Sequence, residues 1–307
     1  MEFLYMLEKL RVPVLNEFML AITTLGEETA FLVVALILFW CIDKRRGYYV
    51  LSVGFLGTIF NQALKLICRV PRPWVLDENF TILEQAREAA SGYSFPSGHT
   101  QSAVGVFGAI AYTEKRKWLR WVLIILAALV GFSRMYIGVH TPTDVLVAAA
   151  TSVVFLLVLR PMTMKGGKTF HIVLGVLLGI AVGYLAYVEL YPFPADIDPH
   201  NMESGIKNAY TLLGCILAMI LVYVVDTRWL DFPVKAVWWA QMIKVIGGLA
   251  VVLAVKEGLR APLEALFAGH MTARAVRYFL IVVVAGVLWP MTFRFFSRLG
   301  RCCQKEN

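Results

Sequence analysis

Long apolar stretches constrain what this chain can fold into more than any other feature of its sequence. A helix needs about 20 predominantly apolar residues to cross the hydrocarbon core of a bilayer. Nine stretches reach or approach that length, and the 307-residue chain is 59% hydrophobic and 16% charged, a balance that argues against a soluble enzyme. The sequence therefore predicts an all-α, polytopic membrane helical bundle. The predicted spans are residues 19–42, 48–67, 98–114, 118–138, 143–160, 170–191, 206–226, 236–256 and 275–295.

The basic residues of the loops predict how the spans are oriented. Alternate segments between the predicted spans hold 16 and 12 Lys and Arg residues. Lys and Arg collect in the short loops on the cytoplasmic side of a membrane. We therefore expect the richer set inside, with the N-terminus outside and the C-terminus in the cytoplasm. The same rule explains the net charge of +8 without nucleic acid as a partner.

Two segments outside the spans are predicted to be helices at the membrane surface. Apolar residues recur at helical spacing from Phe3 to Leu10, and residues 1–18 lack the residue order of a signal peptide. Residues 74–93 mix apolar and acidic side chains, which fits an amphipathic helix over the outer face that could guide an acyl or prenyl chain.

The five cysteines have no spacing typical of a zinc site or a disulfide framework. Cys302 and Cys303 are adjacent and are interpreted as solvent thiols, with lipidation as the alternative. Lys244 lies inside an apolar stretch, where a lysine is a functional candidate by default. Because two tryptophans precede it closely, we favour a structural interpretation, with a partner in a neighbouring span or a place near the cytoplasmic interface.

Three polar motifs stand at the ends of predicted spans, all on the outer side. The first, KLICRVPRP, runs from Lys65 past Arg72, and the second, PSGH, ends at His99 and opens the third span. The third, SRMYIGVHTPTD, links the fourth and fifth spans and ends at Asp144. Antiparallel helices can bring these three motifs together at one membrane surface.

The motifs supply the groups that an oxyanion site needs. Lys65, Arg72 and Arg134 are cations, and a guanidinium presents a planar fork suited to phosphate oxygens. A helix beginning at Ser97-Gly98 directs free N–H groups outward, and the glycine lets an anion approach the backbone. The sequence therefore predicts a receptor for a tetrahedral oxyanion.

Two histidines add chemistry to this receptor. Asp144 lies four residues after His140 and can reach back to the imidazole, which fixes its tautomer and leaves the other ring nitrogen free to attack. His99, at the helix start, can donate a proton to the leaving oxygen. This set predicts phosphoryl transfer without a metal or other cofactor. Each residue alone has a simpler explanation as a helix cap, a turn or an interfacial anchor, but these do not predict three motifs on one face.

The three motifs resemble the signature motifs of the type-2 phosphatidic acid phosphatase (PAP2) family, with every signature position matched over about residues 60–150. The resemblance implies a six-helix core, a phosphohistidine on His140 supported by Asp144, and His99 as the acid. It also implies that no metal is needed. The residues that would hold the phosphate are Lys65, Arg72, Ser97, Gly98 and Arg134.

We accordingly expect a surface helix over 1–18, a six-span phosphatase core over 19–191 and three further C-terminal spans over 192–307. The expected function is hydrolysis of a phosphomonoester or diphosphate, with a phosphorylated lipid as substrate and membrane lipids as surroundings. The active site would face the extracytoplasmic side. Alternatives are a phosphatase for a soluble ester, as in the glucose-6-phosphatase branch, a lipid phosphotransferase, or a non-catalytic lipid-phosphate transporter or scaffold.

Overall fold

The computed structural model of the chain describes residues 1–87, 90 and 92–299, and these residues form helices and connecting segments without a β-strand. Cys302 and Cys303 lie outside the described residues. The α-helices are α1 Glu2–Lys9, α2 Pro13–Thr24, α3 Glu28–Ile37, α4 Lys44–Cys68, α5 Pro73–Leu76, α6 Gly98–Thr113, α7 Lys117–Tyr136, α8 Pro142–Lys165, α9 Gly167–Leu190, α10 Pro199–Val225, α11 Trp238–Gly258, α12 Arg260–Leu266, α13 Thr272–Val283 and α14 Phe293–Arg298.

The apolar helices confirm the prediction of a multi-pass membrane bundle. Among the described residues, seven helical stretches are long and apolar enough to cross a membrane, and a bent pair, Pro13–Thr24 with Glu28–Ile42, makes an eighth if it is one span. The third predicted span, 98–114, corresponds to α6, which has only 16 residues. At about 1.5 Å per residue, α6 is shorter than the roughly 30 Å hydrocarbon core.

The bent pair turns by 54° at the break between α2 and α3. Gly26 lies in this break and is buried against α6. A Cβ atom on Gly26 would stand 2.9 Å from both Cβ and the carbonyl oxygen of His99. The first span therefore passes beside the start of α6 at a point where no side chain fits.

The chain divides into two compact units. The first unit comprises Met1–Leu32, Tyr49–Met162 and Leu190–Gly205, and it contains all three polar motifs. The second comprises Val33–Tyr48, Thr163–Glu189 and Ile206–Asn307.

Within the second unit, Lys244 of α11 is fully buried. Its Nζ donates to the carbonyl oxygens of Trp40 at 2.7 Å and Val234 at 2.9 Å, and it lies 4.2 Å from the centre of the Phe293 ring. The carbonyl of Trp40 belongs to a π-helical turn, Leu38–Ile42. Lys244 thus has the structural partners that our preferred interpretation of the sequence required.

The two predicted surface helices have different outcomes. Residues Glu2–Lys9 are helical, and Leu4 packs with Phe80 and Ile82 of the segment before α6. The amphipathic helix over 74–93 is wrong, because the described residues there form one α-helical turn in α5, a short 3₁₀ turn and extended chain.

The segment leaves the helical path at Asp77, whose carboxylate accepts from Asn79 N–H and from the Tyr5 hydroxyl. Such local side-chain-to-backbone bonds compete with helix formation.

Candidate active site

The first motif places two cations against the segment that precedes α6. Lys65 lies in the last turn of α4, and its Nζ donates to the carbonyl of Tyr93 at 2.6 Å. Arg72 follows in the connection to α5 and is buried. Its Nε donates to the carbonyl of Gly92 at 3.0 Å, and its Nη1 to that of Val139 at 2.9 Å. Backbone carbonyls therefore hold both cations in place.

The second motif forms the start of α6. Ser97 is the N-cap residue, and its hydroxyl oxygen accepts from the hydroxyl of Thr100 at 2.9 Å and from the N–H of Thr100 at 3.4 Å. Gly98 and His99 are the next two residues. A Cβ on Gly98 would meet only Asn61 Oδ1, at 3.7 Å, so the helix start faces open space. The first N–H groups of a helix have no partner within it and can bind an anion.

The third motif runs from the last turn of α7 to the start of α8. Arg134 is 2% exposed, and its Nη1 donates to Thr23 Oγ1 at 2.8 Å. Its carbonyl accepts from the N–H groups of Val139 and His140 at 3.1 and 3.3 Å. The short loop between the two helices is thereby folded back, and it places His140 beside Arg134.

His140 and Asp144 meet as the spacing predicted. His140 Nδ1 lies 3.4 Å from Asp144 Oδ2, and both side chains are buried. The same carboxylate oxygen accepts from the Ser94 hydroxyl at 2.5 Å and from the Thr141 N–H at 2.7 Å. A carboxylate at Nδ1 favours the tautomer that carries its proton there. The lone pair is then on Nε2.

Nε2 of His140 faces the cationic side of the site. It lies 3.0 Å from Arg72 Nη1, which can donate to it. Burial, followed by the charge of Arg72, lowers the pKa of His140 well below its usual value. The ring therefore stays neutral over the pH range in which an ordinary imidazole becomes charged, as a nucleophile requires.

One cavity of about 300 Å³ joins the three motifs. Ser97 and Asp144 are not among the described residues that line it. The predicted site residues that line it are Lys65, Arg72, Gly98, His99, Arg134 and His140.

Comparison with known proteins gives the same assignment as the motifs. The PAP2 superfamily matches residues 45–168, and the transmembrane extension of PAP2 superfamily phosphatases matches residues 210–301. Phosphatidylglycerophosphatase B of Bacillus subtilis (strain 168) is 33% identical over 150 residues, which cover 45% of this chain and 70% of that protein. This chain belongs to the PAP2 superfamily.

Two further similarities were found. Undecaprenyl-diphosphatase BcrC of Bacillus subtilis (strain 168) is 32% identical over 112 residues, which cover 36% of this chain but only 55% of BcrC. The crystal structure of Aquifex aeolicus LpxE aligns with a TM-score of 0.46 and 25% identity, covering 54% of this chain and 94% of that one.

Sequence reasoning missed one side of this PAP2 site. His200, Asn201 and Ser204, at the start of α10, also line the cavity, as do Glu27 and Glu28 at the start of α3. Residues 191–205 contain acidic side chains, but no sequence motif connects this segment to the three polar motifs.

Residues 92–94 were also missed, although they organise three of the predicted groups. The carbonyls of Gly92 and Tyr93 accept from Arg72 and Lys65, and the Ser94 hydroxyl donates to Asp144. Gly92 has a φ of +74°, which favours glycine. The signal would have been the glycine and serine just before PSGH, but their contacts depend on tertiary structure.

The start of α10 contacts residues 92 and 93. Asp198 N–H donates to the Tyr93 hydroxyl at 3.1 Å, and a Cβ on Gly92 would stand 2.3 Å from the amide of Asn201.

Most of the side chains that line the cavity are cationic or uncharged. Among the described residues no group of three or more His, Cys, Asp or Glu side chains is placed to hold a metal ion.

Proposed function

We propose that this chain is an integral membrane phosphatase that hydrolyses a phosphomonoester or diphosphate of a lipid through a phosphohistidine intermediate. The observation that carries the proposal is the meeting of three buried or half-buried cations with two histidines at one cavity. The names of the relatives, a phosphatidylglycerophosphatase and an undecaprenyl-diphosphatase, support a lipid substrate.

In the first step, Nε2 of His140 attacks phosphorus. Arg72 Nη1 stands 3.0 Å from Nε2, so a phosphate oxygen bound by Arg72 brings phosphorus next to the nucleophile. The P–N bond forms as the bond to the leaving oxygen breaks, and His99 gives its proton to that oxygen. Negative charge on the bound phosphate favours the protonated form of His99.

In the second step, water attacks the phosphohistidine. His99, now neutral, takes the proton of the water, the P–N bond breaks, and inorganic phosphate forms. Asp144 stabilises the positive charge that His140 carries as phosphohistidine. Lys65, Arg72, Arg134 and the helix start at Ser97 and Gly98 stabilise the charge on the phosphoryl oxygens in both steps.

We further propose that the phosphatase needs no divalent metal. The phosphate cradle, by which we mean Lys65, Arg72, Arg134 and the helix start at Ser97 and Gly98, already carries three cations. The carboxylate of Asp144 accepts hydrogen bonds from Ser94 and Thr141. Glu27 and Glu28, two carboxylates that line the same cavity, belong to no group of three or more His, Cys, Asp or Glu side chains placed to hold a metal ion among the described residues.

We also propose the arrangement expected from the sequence. The site would open on the extracytoplasmic side, as the division of 16 and 12 basic residues supports. A surface helix over 1–18 and a six-span core over 19–191 would be followed by three spans over 192–307, and the match to the transmembrane extension at 210–301 supports the last part.

The decisive experiment measures phosphate release by the purified protein in detergent, with excess EDTA, from phosphatidylglycerophosphate, phosphatidate, farnesyl diphosphate and glucose 6-phosphate. We expect release from lipid substrates, loss of turnover in His140→Ala, and an acid-labile phosphoenzyme in the unchanged protein that the variant lacks. Turnover by His140→Ala would contradict the nucleophile, and loss in EDTA that Mg²⁺ restores would contradict the metal-free mechanism. Preference for glucose 6-phosphate would replace the lipid substrate with a soluble one.

A further inference from the structure

The cavity is larger than a phosphate group needs. Its volume of about 300 Å³ is at the lower end of pockets that bind whole small molecules, about 300–1,000 Å³. A phosphate group is one phosphorus atom with four oxygens, so the cavity has room for part of the alcohol to which the phosphate is esterified. The side chains around that space therefore bear on which alcohol it accepts.

The wall beyond the phosphate cradle is polar. The described residues that line the cavity include no aliphatic side chain and no Phe, Tyr or Trp, although 59% of the chain is hydrophobic. Three helices supply the uncharged polar groups. They are Thr58, Asn61 and Gln62 of α4, Gln101 and Ser102 of α6, and Asn201 and Ser204 of α10, with His200 beside them.

A wall of amides and hydroxyls does not suit a hydrocarbon chain. An acyl or prenyl chain in this space would strip water from polar groups and offer no hydrogen bond in return, which is unfavourable. Hydroxyl groups of a bound alcohol can pair with the same amides and hydroxyls. Three of the amides are already fixed, since Asn61 donates to the Pro96 carbonyl at 3.3 Å, Asn201 donates to Asp198 Oδ1 at 2.8 Å and Gln101 accepts from Thr151 at 3.1 Å.

The charge of two residues that line the cavity distinguishes a monophosphate from a diphosphate. Glu27 and Glu28 line the cavity from the start of α3 and are exposed. A second phosphate group carried toward this side would meet two carboxylates of the same sign. A neutral, hydroxylated group would not.

We propose that the polar wall is a headgroup subsite, and that the substrate is a phosphomonoester on a hydroxylated headgroup, a glycerol or a sugar, of a lipid. The apolar tails then remain outside the cavity. The proposal rests on the phosphatase function proposed above, and it names the class of substrate within that function.

A binding experiment tests the subsite without requiring turnover. The probes are sn-glycerol 3-phosphate and n-propyl phosphate, which share the phosphate and a three-carbon chain and differ by two hydroxyl groups. Binding to the full chain in detergent is measured by calorimetry. We expect glycerol 3-phosphate to bind about tenfold more tightly, because each hydroxyl gains a hydrogen bond. Equal binding, or tighter binding of propyl phosphate, would overturn the subsite.

A kinetic experiment tests the substrate class. We compare kcat/KM for dioctanoyl phosphatidylglycerophosphate, dioctanoyl phosphatidate and farnesyl diphosphate, and we expect the first to be preferred. Gln62→Leu makes part of the wall apolar and should lower that preference about 3- to 10-fold. The matched control, Gln85→Leu, changes an exposed glutamine outside the described lining and should leave the preference unchanged.

The outcomes separate the two proposals. Equal or better turnover of phosphatidate or farnesyl diphosphate would overturn the headgroup subsite while the phosphatase function stands. Equal effects of Gln62→Leu and Gln85→Leu on the preference would overturn the subsite as well. If no substrate releases phosphate, the phosphatase function fails, and the binding comparison of glycerol and propyl phosphates still decides the subsite.

Discussion

At the residue scale, three groups converge on one oxygen of Asp144. The Ser94 hydroxyl and the Thr141 N–H donate to Oδ2, and Nδ1 of His140 lies 3.4 Å away. The Ser94 hydroxyl is also 3.4 Å from Nδ1. Ser94 thus contacts His140, the proposed nucleophile, through the carboxylate, as a positioning residue outside the described lining of the cavity.

Ser94→Ala should therefore lower kcat with little change in KM. A hydrogen bond to a charged group contributes about 1.5–3 kcal/mol, which corresponds to a loss of about tenfold or more. Without the Ser94 donor, the carboxylate pairs more strongly with the charged form of His140, which raises the pKa of that ring and moves the acid limb of the kcat profile to higher pH. Ser152→Ala is the control, since Ser152 is equally buried and its hydroxyl donates to the Gln101 carbonyl. Equal effects of the two variants on kcat and on the pH profile would show that Ser94 has only a structural role.

The roles of the two histidines can be separated by the leaving group. A general acid contributes about 10²–10⁴-fold, and mostly when the leaving oxygen is a poor one. His99→Ala should therefore lose far more rate on an alkyl phosphate than on p-nitrophenyl phosphate, whose phenolate leaves without protonation. His140→Ala should lose the same fraction of its rate on both substrates. Asp144→Asn should behave in a way intermediate between the two histidine variants. The deciding quantity is the rate loss on the alkyl phosphate divided by the rate loss on p-nitrophenyl phosphate. A value near one for His99→Ala together with a large value for His140→Ala would reverse the assignment.

The sequence was sufficient to place His140, Asp144, Arg72 and Lys65 at one site, because their spacing and their positions at span ends are local features. It was not sufficient to find Ser94. Its only signal is a hydroxyl in an irregular segment, and its partner, Asp144, is 50 residues away. The contribution of α10 was missed for the same reason, because α10 is far from the three motifs in sequence and reaches the cavity only through tertiary packing.

At the element scale, the break between α2 and α3 sets the position of His99. Apolar composition predicted one continuous span over 19–42, because hydropathy does not distinguish a straight helix from one with a 54° bend. The chain does give a local signal at the break, where Gly26 is followed by two glutamates that favour a helix N-terminus. The close approach of α6 to this glycine, in contrast, is a matter of tertiary packing.

Gly26→Ala should displace the start of α6. The new Cβ would stand 2.9 Å from the backbone oxygen of His99 and 2.8 Å from a methyl group of Val130, so the helices must move apart. Overpacking of this kind costs about 1–3 kcal/mol, and the shift of His99 should lower kcat on alkyl phosphates. Thermal unfolding and kcat are measured together. Gly175→Ala in α9, where a Cβ has no neighbour within 4 Å, should lower neither the unfolding temperature nor kcat. A Gly26→Ala variant that also lowers neither would contradict the close packing.

At the scale of the whole molecule, composition was enough to predict a multi-pass helical bundle, but not how the chain is distributed in it. The two compact units each draw on three separate stretches of sequence. Hydropathy identifies the residues that avoid water, but it does not predict which helices pack together, because lipid and neighbouring helices are equally apolar. The proposed orientation of the bundle rests instead on a modest difference in basic residues between its two sides.

The orientation can be tested with single cysteines in a background in which the five native cysteines are replaced. Glu78→Cys, between α5 and α6, and Arg116→Cys, between α6 and α7, both lie at exposed positions on opposite sides of the proposed topology. An impermeant maleimide added to intact cells should label the cysteine at 78 and not the one at 116, and both should react after lysis.

Because α6 links the two loops, the comparison also tests whether this 16-residue helix crosses the bilayer. Labelling of both positions in intact cells would mean that α6 does not cross. Labelling of 116 alone would place the phosphate cradle on the cytoplasmic side, and its lipid substrate would then have to come from the inner leaflet.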